Sequence, residues 1–129
     1  MPCVNVNSVI TCAGLCQFPT YMMKRYPLVE LVNAATGWDT DLDDLLKTGE
    51  RIQMLRYCFN LREGFKPDDF RLPARVRGNP PMTYGPLKNV TLDEDAMAKS
   101  CLRQMGVDEV TGEPHPNKLE ELDLANLIQ

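Results

Sequence analysis

The stretch TDLDDLLKTGERIQMLRYCFNLREG, Thr40–Gly64, carries the clearest secondary-structure pattern in this chain of 129 residues. Its apolar side chains recur at the spacing of one helical face, and Leu45, Ile52 and Phe59 lie seven residues apart. Gly49 falls on the same face, although glycine costs about 1 kcal/mol relative to alanine in a free helix. We therefore predict a long helix that ends at Gly64 and that another helix approaches closely at Gly49.

Two helices are predicted before this segment. Asn7-Ser8 can cap an apolar helix that Pro19 stops. Pro27 suits the first position of the next helix, because the N–H that proline lacks has no helical partner there. Gly37 ends that second helix, since glycine adopts the left-handed conformation freely.

The sequence changes character after Gly64. Five of the ten prolines lie in residues 67–86 and no apolar periodicity is present, which predicts an extended Pro/Gly-rich arm over residues 66–90. Thr91-Leu92-Asp93-Glu94 forms a capping-box pattern that predicts a helix ending at Gly106, and a last short helix begins near Pro116. Together these patterns predict a single, compact all-α domain over residues 1–129, with about five helices and this extended arm.

Composition excludes several classes of function. A chain of 129 residues, 43% hydrophobic, can bury a core without disulfides. No run approaches the roughly 20 apolar residues of a membrane-spanning helix. The net charge of −4 argues against nucleic-acid binding.

The acidic excess lies after Arg77, where it forms either a solvated surface or a docking face for a partner. Five cysteines without a C-x-x-C pair favour a reducing, cytoplasmic setting.

An inventory of catalytic groups finds no complete active site. The single histidine, His115, lies in a proline-bounded turn that indicates a surface position, and nucleophile-elbow and phosphate-loop motifs are absent. Cys58 and Cys101 are interpreted as small buried side chains. Cys3 and Cys12 lie close in sequence to Cys16, but they do not complete a set of metal ligands. These features alone indicate a helical domain without an autonomous active site.

Three segments in order resemble a known family. Residues 11–18, TCAGLCQF, resemble the D-S-x-G-L-C-x-F signature near the C-terminus of tungsten-containing aldehyde ferredoxin oxidoreductases. Residues 28–65 resemble the next segment of that family, with AATG at 34–37, GERI at 49–52 and FNLREGF at 59–65. The end, with MGVD at 105–108 and TGEP at 111–114, resembles the family's R-G-W-D…T-G-x-P tail.

The resemblance implies that the chain is the C-terminal domain of such an enzyme, which oxidises aldehydes to carboxylic acids. Its cofactors would be a tungsten or molybdenum bis-pterin and one 4Fe-4S cluster, through which electrons reach ferredoxin. Cys16 corresponds to the fourth cluster ligand, and Thr11, Leu15 and Gln17 correspond to residues that contact one pterin. Three further ligands belong to an upstream C-x-x-C-x-x-x-C motif that this sequence lacks. The implied partners are the upstream domains, ferredoxin and a second copy in a homodimer.

Two expectations follow from this correspondence. The isolated chain should be inactive and hold no cofactor, because Cys16 alone cannot hold a cluster. It should also expose apolar surface around Val9 to Phe18, where the upstream domains would pack. Thr11 stands where the family has Asp, so the charge that would strengthen hydrogen bonds from the pterin is missing. This replacement favours the alternative of a non-enzymatic helical interaction module, a diverged relative that has lost the cofactor.

Overall fold

The computed structural model describes residues 1–128, apart from the side chains of Tyr21 and Ile128. Within that range the chain is all-α, as predicted, and contains no β-strand. The helices are α1 (Pro2–Cys12), α2 (Phe18–Met22), α3 (Leu28–Thr36), α4 (Leu42–Arg62), α5 (Glu94–Met105) and α6 (Pro116–Glu121), with 3-10 helices at Pro67–Asp69 and Ala125–Ile128. None of the described helices is both long and apolar enough to cross a bilayer.

The chain divides into two compact units. The first unit combines Met1–Phe59 with the residues from Pro116 onward, and the second unit is Asn60–His115. The interpretation of residues 1–129 as one domain stays a prediction, and each unit is described separately below.

The core of the first unit is built from three helices. Val9 and Ile10 of α1, Leu28 of α3 and Leu45 of α4 are buried together. Each side chain of this size contributes about 1.5–3 kcal/mol when it is fully removed from water. The core therefore holds the C-terminal half of α1 against α3 and α4, and this half of α1 leads directly into the TCAGLCQF segment.

The close approach predicted at Gly49 is confirmed, and the helix that approaches is α1. A Cβ added at Gly49 would lie 2.6 Å from the carbonyl carbon of Asn5 and 2.8 Å from its Cα, and closer still to its carbonyl oxygen. All three atoms belong to the backbone, so no rotamer change could relieve the overlap. Glycine at this position lets the backbones of α1 and α4 meet.

Polar contacts attach α6 to α4 within the first unit. Arg51 Nε donates to the carbonyl oxygen of Leu122 at 2.7 Å, and Arg51 Nη2 donates to Asp123 at 2.6 Å. Lys118 Nζ lies 2.8 Å from a carboxylate oxygen of Glu50. Burial of Lys118 by itself lowers its pKa, but the hydrogen bonds to Glu50 and Glu121 raise the pKa above its ordinary value overall.

The first helix differs from its prediction at both ends. It begins at Pro2, because proline fits the first turn, and not at Asn7-Ser8. The Ser8 hydroxyl instead donates to the carbonyl four residues earlier, at 2.9 Å, inside the helix. The helix ends at Cys12, and Pro19 lies in the first turn of α2. The prediction of one helix stopped by Pro19 is therefore wrong.

The glycine signals at the other helix ends are confirmed. Gly37 and Gly106 have φ angles of 74° after α3 and α5, and Gly64 has φ of 87° after α4. The start of α4 lies close to its prediction at Thr40. There the backbone N–H of Asp44 donates to the Asp41 carboxylate at 2.9 Å, and the Asp41 N–H donates back to the Asp44 carboxylate at 3.1 Å.

Residues 66–90 of the second unit lie outside the α-helices, as predicted, and form hydrogen-bonded turns. The capping box predicted at Thr91–Glu94 is wrong. Helix α5 is capped by Asp93, whose carboxylate accepts from the N–H of Ala96 at 3.0 Å. Glu94 turns away from the cap and accepts from the N–H of Leu72 at 2.5 Å. Its carboxylate therefore ties α5 to the turn segment.

Candidate functional site

The residues predicted to form the site lie where α1 ends and α2 begins. Thr11 is in the last turn of α1, Leu15 and Cys16 are in the connection, and Gln17 is the residue before α2. The chain reverses at Gly14, whose φ is 68°, and the Leu15 N–H then donates to the carbonyl of Ile10 at 3.0 Å. Nothing lies within 4 Å of a Cβ added at Gly14, so the backbone conformation requires glycine here and space does not.

Thr11 presents a hydrogen-bond acceptor at this turn. Its side chain is exposed, and its hydroxyl donates to the carbonyl oxygen of Asn7 at 2.8 Å. A hydroxyl has one proton, so the remaining capacity of Thr11 is to accept. The position can therefore accept from a ligand N–H, but it carries no charge.

Cys16 presents an exposed thiol in the connection. Within the described residues, the backbone N–H groups of Cys16 and Gln17 donate to no backbone carbonyl. Leu15 beside them is partly buried and packs on the core of the first unit, which fixes the segment to the helices. The connection thus carries an exposed thiol and two N–H groups without a backbone partner, on a short segment that packs on the core of the first unit through Leu15.

Gln17 lies at the start of α2 with its side chain exposed. Its carbonyl accepts from the N–H of Thr20 at 3.1 Å and from the Thr20 hydroxyl at 2.6 Å. The amide side chain makes no capping hydrogen bond to α2. Both a donor and an acceptor of this side chain therefore remain for a ligand.

The other cysteines do not complete a metal site around Cys16. Cys3 and Cys12 lie nine positions apart on α1, a rise of about 13 Å, so they cannot ligate one cluster together without unwinding the helix. Cys101 is exposed, which corrects the prediction that it is buried. Cys58 is half-buried, and this burial raises the pKa of its thiol. No group of three or more potential metal ligands occurs among the residues that the structure describes.

Apolar side chains are exposed near this segment. Phe18 at the start of α2 is 72% exposed, whereas Val9 and Ile10 are buried in the core of the first unit. The predicted apolar surface therefore includes Phe18, whereas most of the surface of Val9 and Ile10 is taken up by the core. Sequence reasoning missed Trp38, which is 62% exposed and lines a cavity together with Cys12. The signal was present, since Trp38 is the single tryptophan and directly follows a helix-ending glycine.

Comparison with known proteins gives one consistent family. A family profile described as "Aldehyde ferredoxin oxidoreductase, domains 2 & 3" matches residues 2–124. The chain is 38% identical over 122 residues to the tungsten-containing aldehyde ferredoxin oxidoreductase of Pyrococcus furiosus, covering 94% of this chain and 20% of that protein. It is 36% identical over 125 residues to the Pyrococcus horikoshii protein of the same name, covering 96% of this chain and 20% of that protein. The chain thus spans about a fifth of the length of the relatives it matches.

Proposed function

This chain belongs to the aldehyde ferredoxin oxidoreductase family, and we propose that it is the C-terminal part of an enzyme that oxidises aldehydes to carboxylic acids. Electrons would leave through a 4Fe-4S cluster to ferredoxin. The observation that carries the proposal is the family match over residues 2–124, combined with relatives about five times as long. The remaining length would supply most of the cofactor site, and a second copy would complete a homodimer. Five cysteines without a disulfide fit a cytoplasmic enzyme.

Cys16 is proposed as one thiolate ligand of the cluster. Its support is chemical: thiolates are the usual ligands of such clusters, and the thiol is exposed on an anchored segment. The N–H groups of Cys16 and Gln17 could donate to cluster sulfurs, which is one way in which proteins set the reduction potential. The other three ligands would come from the rest of the enzyme, so the isolated chain is proposed to be inactive.

Thr11, Leu15 and Gln17 are proposed to contact one pterin of a tungsten or molybdenum centre. Thr11 would accept a hydrogen bond from a pterin N–H, and Gln17 could donate or accept through its side-chain amide. Leu15 would hold this segment in place through its packing on the core of the first unit. When bound, the metal–pterin centre and the cluster supply the redox chemistry, while these residues bind and orient the cofactors.

The proposal is tested on the protein purified from its native source together with every polypeptide that stays bound to it. Iron, tungsten and aldehyde-dependent reduction of a viologen dye are measured for the natural protein and for Cys16→Ala. Cys12→Ala is the matched control, because Cys12 is also exposed and lies four residues away. We expect Cys16→Ala to lose cluster iron and activity, and Cys12→Ala to retain them. Full iron content and activity in Cys16→Ala would refute the role of Cys16.

The 129-residue chain expressed alone provides a second test. We expect a colourless protein without stoichiometric iron or tungsten, since one thiolate does not hold a four-iron cluster. Brown protein with stoichiometric iron would show that ligands for the whole cluster lie within this chain. That result would overturn the division of the ligands between this chain and other parts of the enzyme.

A non-enzymatic helical interaction module is the second candidate, and Thr11 favours it. Its neutral hydroxyl replaces the carboxylate that the family resemblance implies, so the contact with a pterin is weaker at this position. The coding sequence immediately upstream distinguishes the two functions. An open frame encoding C-x-x-C-x-x-x-C supports the enzyme, whereas a start signal with no such partner nearby supports the module.

A further inference from the structure

A cavity of about 380 Å³ lies between α1, α3 and α4 of the first unit. This volume is within the range of about 300–1,000 Å³ that is typical of sites for small molecules. Its walls are mostly aliphatic, Trp38 and Cys12 contribute a ring and a thiol, and no charged side chain is among its lining residues. An ionised ligand would therefore lose its hydration without gaining a counter-charge.

Three threonines are among the lining residues, and the protons of their hydroxyls are already used. Thr36 donates to the carbonyl oxygen of Val32 at 2.8 Å, and Thr48 donates to the carbonyl oxygen of Asp44 at 2.9 Å. Thr40 donates to the side-chain oxygen of Asn33 at 2.7 Å. Each hydroxyl has only one proton, so these three groups can offer a ligand acceptors but no donor.

The wall that carries Trp38 is held in place by the chain itself. The Asn33 amide nitrogen donates to the carbonyl oxygen of Thr40 at 2.8 Å, and the Asn33 oxygen accepts from the Thr40 N–H at 3.2 Å. The backbone N–H of Trp38 donates to the Thr36 hydroxyl at 3.2 Å. A ligand that enters the cavity would therefore not have to order this connection, which favours affinity.

We propose that this cavity binds a small neutral molecule that has an apolar body and one hydrogen-bond donor, such as an alcohol or a phenol. The apolar walls favour a ligand with an apolar body. The absence of charged side chains among the lining residues disfavours ions, and the three threonine acceptors favour a ligand that carries a hydrogen-bond donor. The site needs neither Cys16 nor a metal and shares only Leu15 with the proposed pterin contacts, so it can be tested on the isolated chain and its failure would leave the role of Cys16 unaffected.

Trp38 makes the test direct, because it is the only tryptophan and it lines the cavity. Tryptophan fluorescence is titrated with phenol, with toluene of the same size and shape, and with benzoate as the ionised probe. We expect saturable binding of phenol, with a Kd on the order of 1 mM for so small a molecule. Toluene should bind about 2- to 12-fold more weakly, the usual contribution of one hydrogen bond, and benzoate should not bind measurably.

Two alanine positions on α3 give a matched pair of variants. Ala35 lines the cavity and Ala34 does not, and both are exposed. Ala35→Leu should occupy part of the cavity and weaken phenol binding, whereas Ala34→Leu should leave the Kd unchanged. Thr36→Val, Thr40→Val and Thr48→Val each remove one acceptor, and at least one of them should reduce the preference for phenol over toluene.

The outcomes separate the proposal from its alternatives. Phenol binding that is equal in both leucine variants would overturn it, because the ring would then bind elsewhere. Equal affinity for phenol and toluene would overturn the selection by acceptors. Absence of saturable binding for both neutral probes would also overturn it and would leave the cavity as a surface on which another part of the enzyme packs.

Discussion

Replacing Gly49 with alanine should destabilise the first unit, although alanine favours the helix. The substitution gains about 1 kcal/mol of helix propensity. However, the new Cβ would lie 2.6 Å from the carbonyl carbon of Asn5 and closer still to its oxygen, and ordinary contact begins at 3.4 Å, so the backbones of α1 and α4 must separate by at least about 0.8 Å. Overpacking of this kind costs about 1–3 kcal/mol or more.

The separation also loosens the core of the first unit. A gap of about 0.5–1 Å forfeits a quarter to a half of the dispersion energy of each contact it opens. Val9 and Ile10 of α1 pack against Leu45 of α4, so their contacts are the ones affected. After the gain in propensity is subtracted, we expect the free energy of unfolding to fall by about 2 kcal/mol.

Urea denaturation followed by Trp38 fluorescence measures this change, because Trp38 belongs to the first unit. Lys47→Ala on the exposed side of α4 is the control and should change the free energy of unfolding by less than about 0.5 kcal/mol. The double variant Asn5→Ala/Gly49→Ala should show no rescue, since the overlap involves backbone atoms of Asn5 only. A Gly49→Ala protein as stable as the natural one would refute the reasoning.

Three further substitutions or reactions test other contacts. Glu50→Gln should lower the free energy of unfolding by about 1–2 kcal/mol at neutral pH by weakening the hydrogen bond to Lys118. Because folding raises the pKa of Lys118, its contribution should be complete below the ordinary value of 10.5 and disappear as the pH rises through the higher folded pKa, as urea denaturation against pH would show. Asn33→Ala should cost about 2–3 kcal/mol by removing the hydrogen bonds to Thr40, and Trp38 fluorescence should shift to the red. An aromatic disulfide reagent should modify the four exposed cysteines quickly and Cys58 slowly, because burial raises the pKa of the Cys58 thiol; equal rates in the folded protein would contradict this.

Signals that act over a few residues were readable from the sequence. Gly37, Gly64 and Gly106 end their helices because a left-handed residue is needed at each end, and that requirement is local. Gly49 was readable as well, since a glycine on the apolar face of a strong helix pattern has few other uses. The all-α class follows from these local signals.

The errors arose where one residue type can act in two ways. Ser8 can cap a helix or donate to a carbonyl four residues earlier. Because the helix begins at Pro2, Ser8 lies inside it and makes the second kind of hydrogen bond. Pro19 can follow a helix or begin one, and it begins α2. Glu94 fits a capping box, yet its carboxylate accepts from the N–H of Leu72, 22 residues away in the chain. Contacts at such separations are not visible in a local pattern.

The candidate site could likewise be predicted only in part from the sequence. Cys16 and its neighbours were identified through a family signature, because a lone exposed thiol carries little information by itself. The cavity between α1, α3 and α4 could not be predicted, since its walls come from three helices whose packing the sequence pattern does not specify. Trp38 lines this cavity because Asn33 fixes the connection after α3.

The division of the chain into units has a consequence for its synthesis. The first unit includes the residues from Pro116 onward, where Arg51 bonds to the carbonyl of Leu122, 71 residues later, and all of Asn60–His115 lies between them. On the ribosome, every residue of the second unit therefore emerges before the last part of the first unit is made. Helices α1, α3 and α4 can pack their shared core during this interval, since none of its residues comes from α6, but the C-terminal residues can bond to Arg51 only after the second unit has been made.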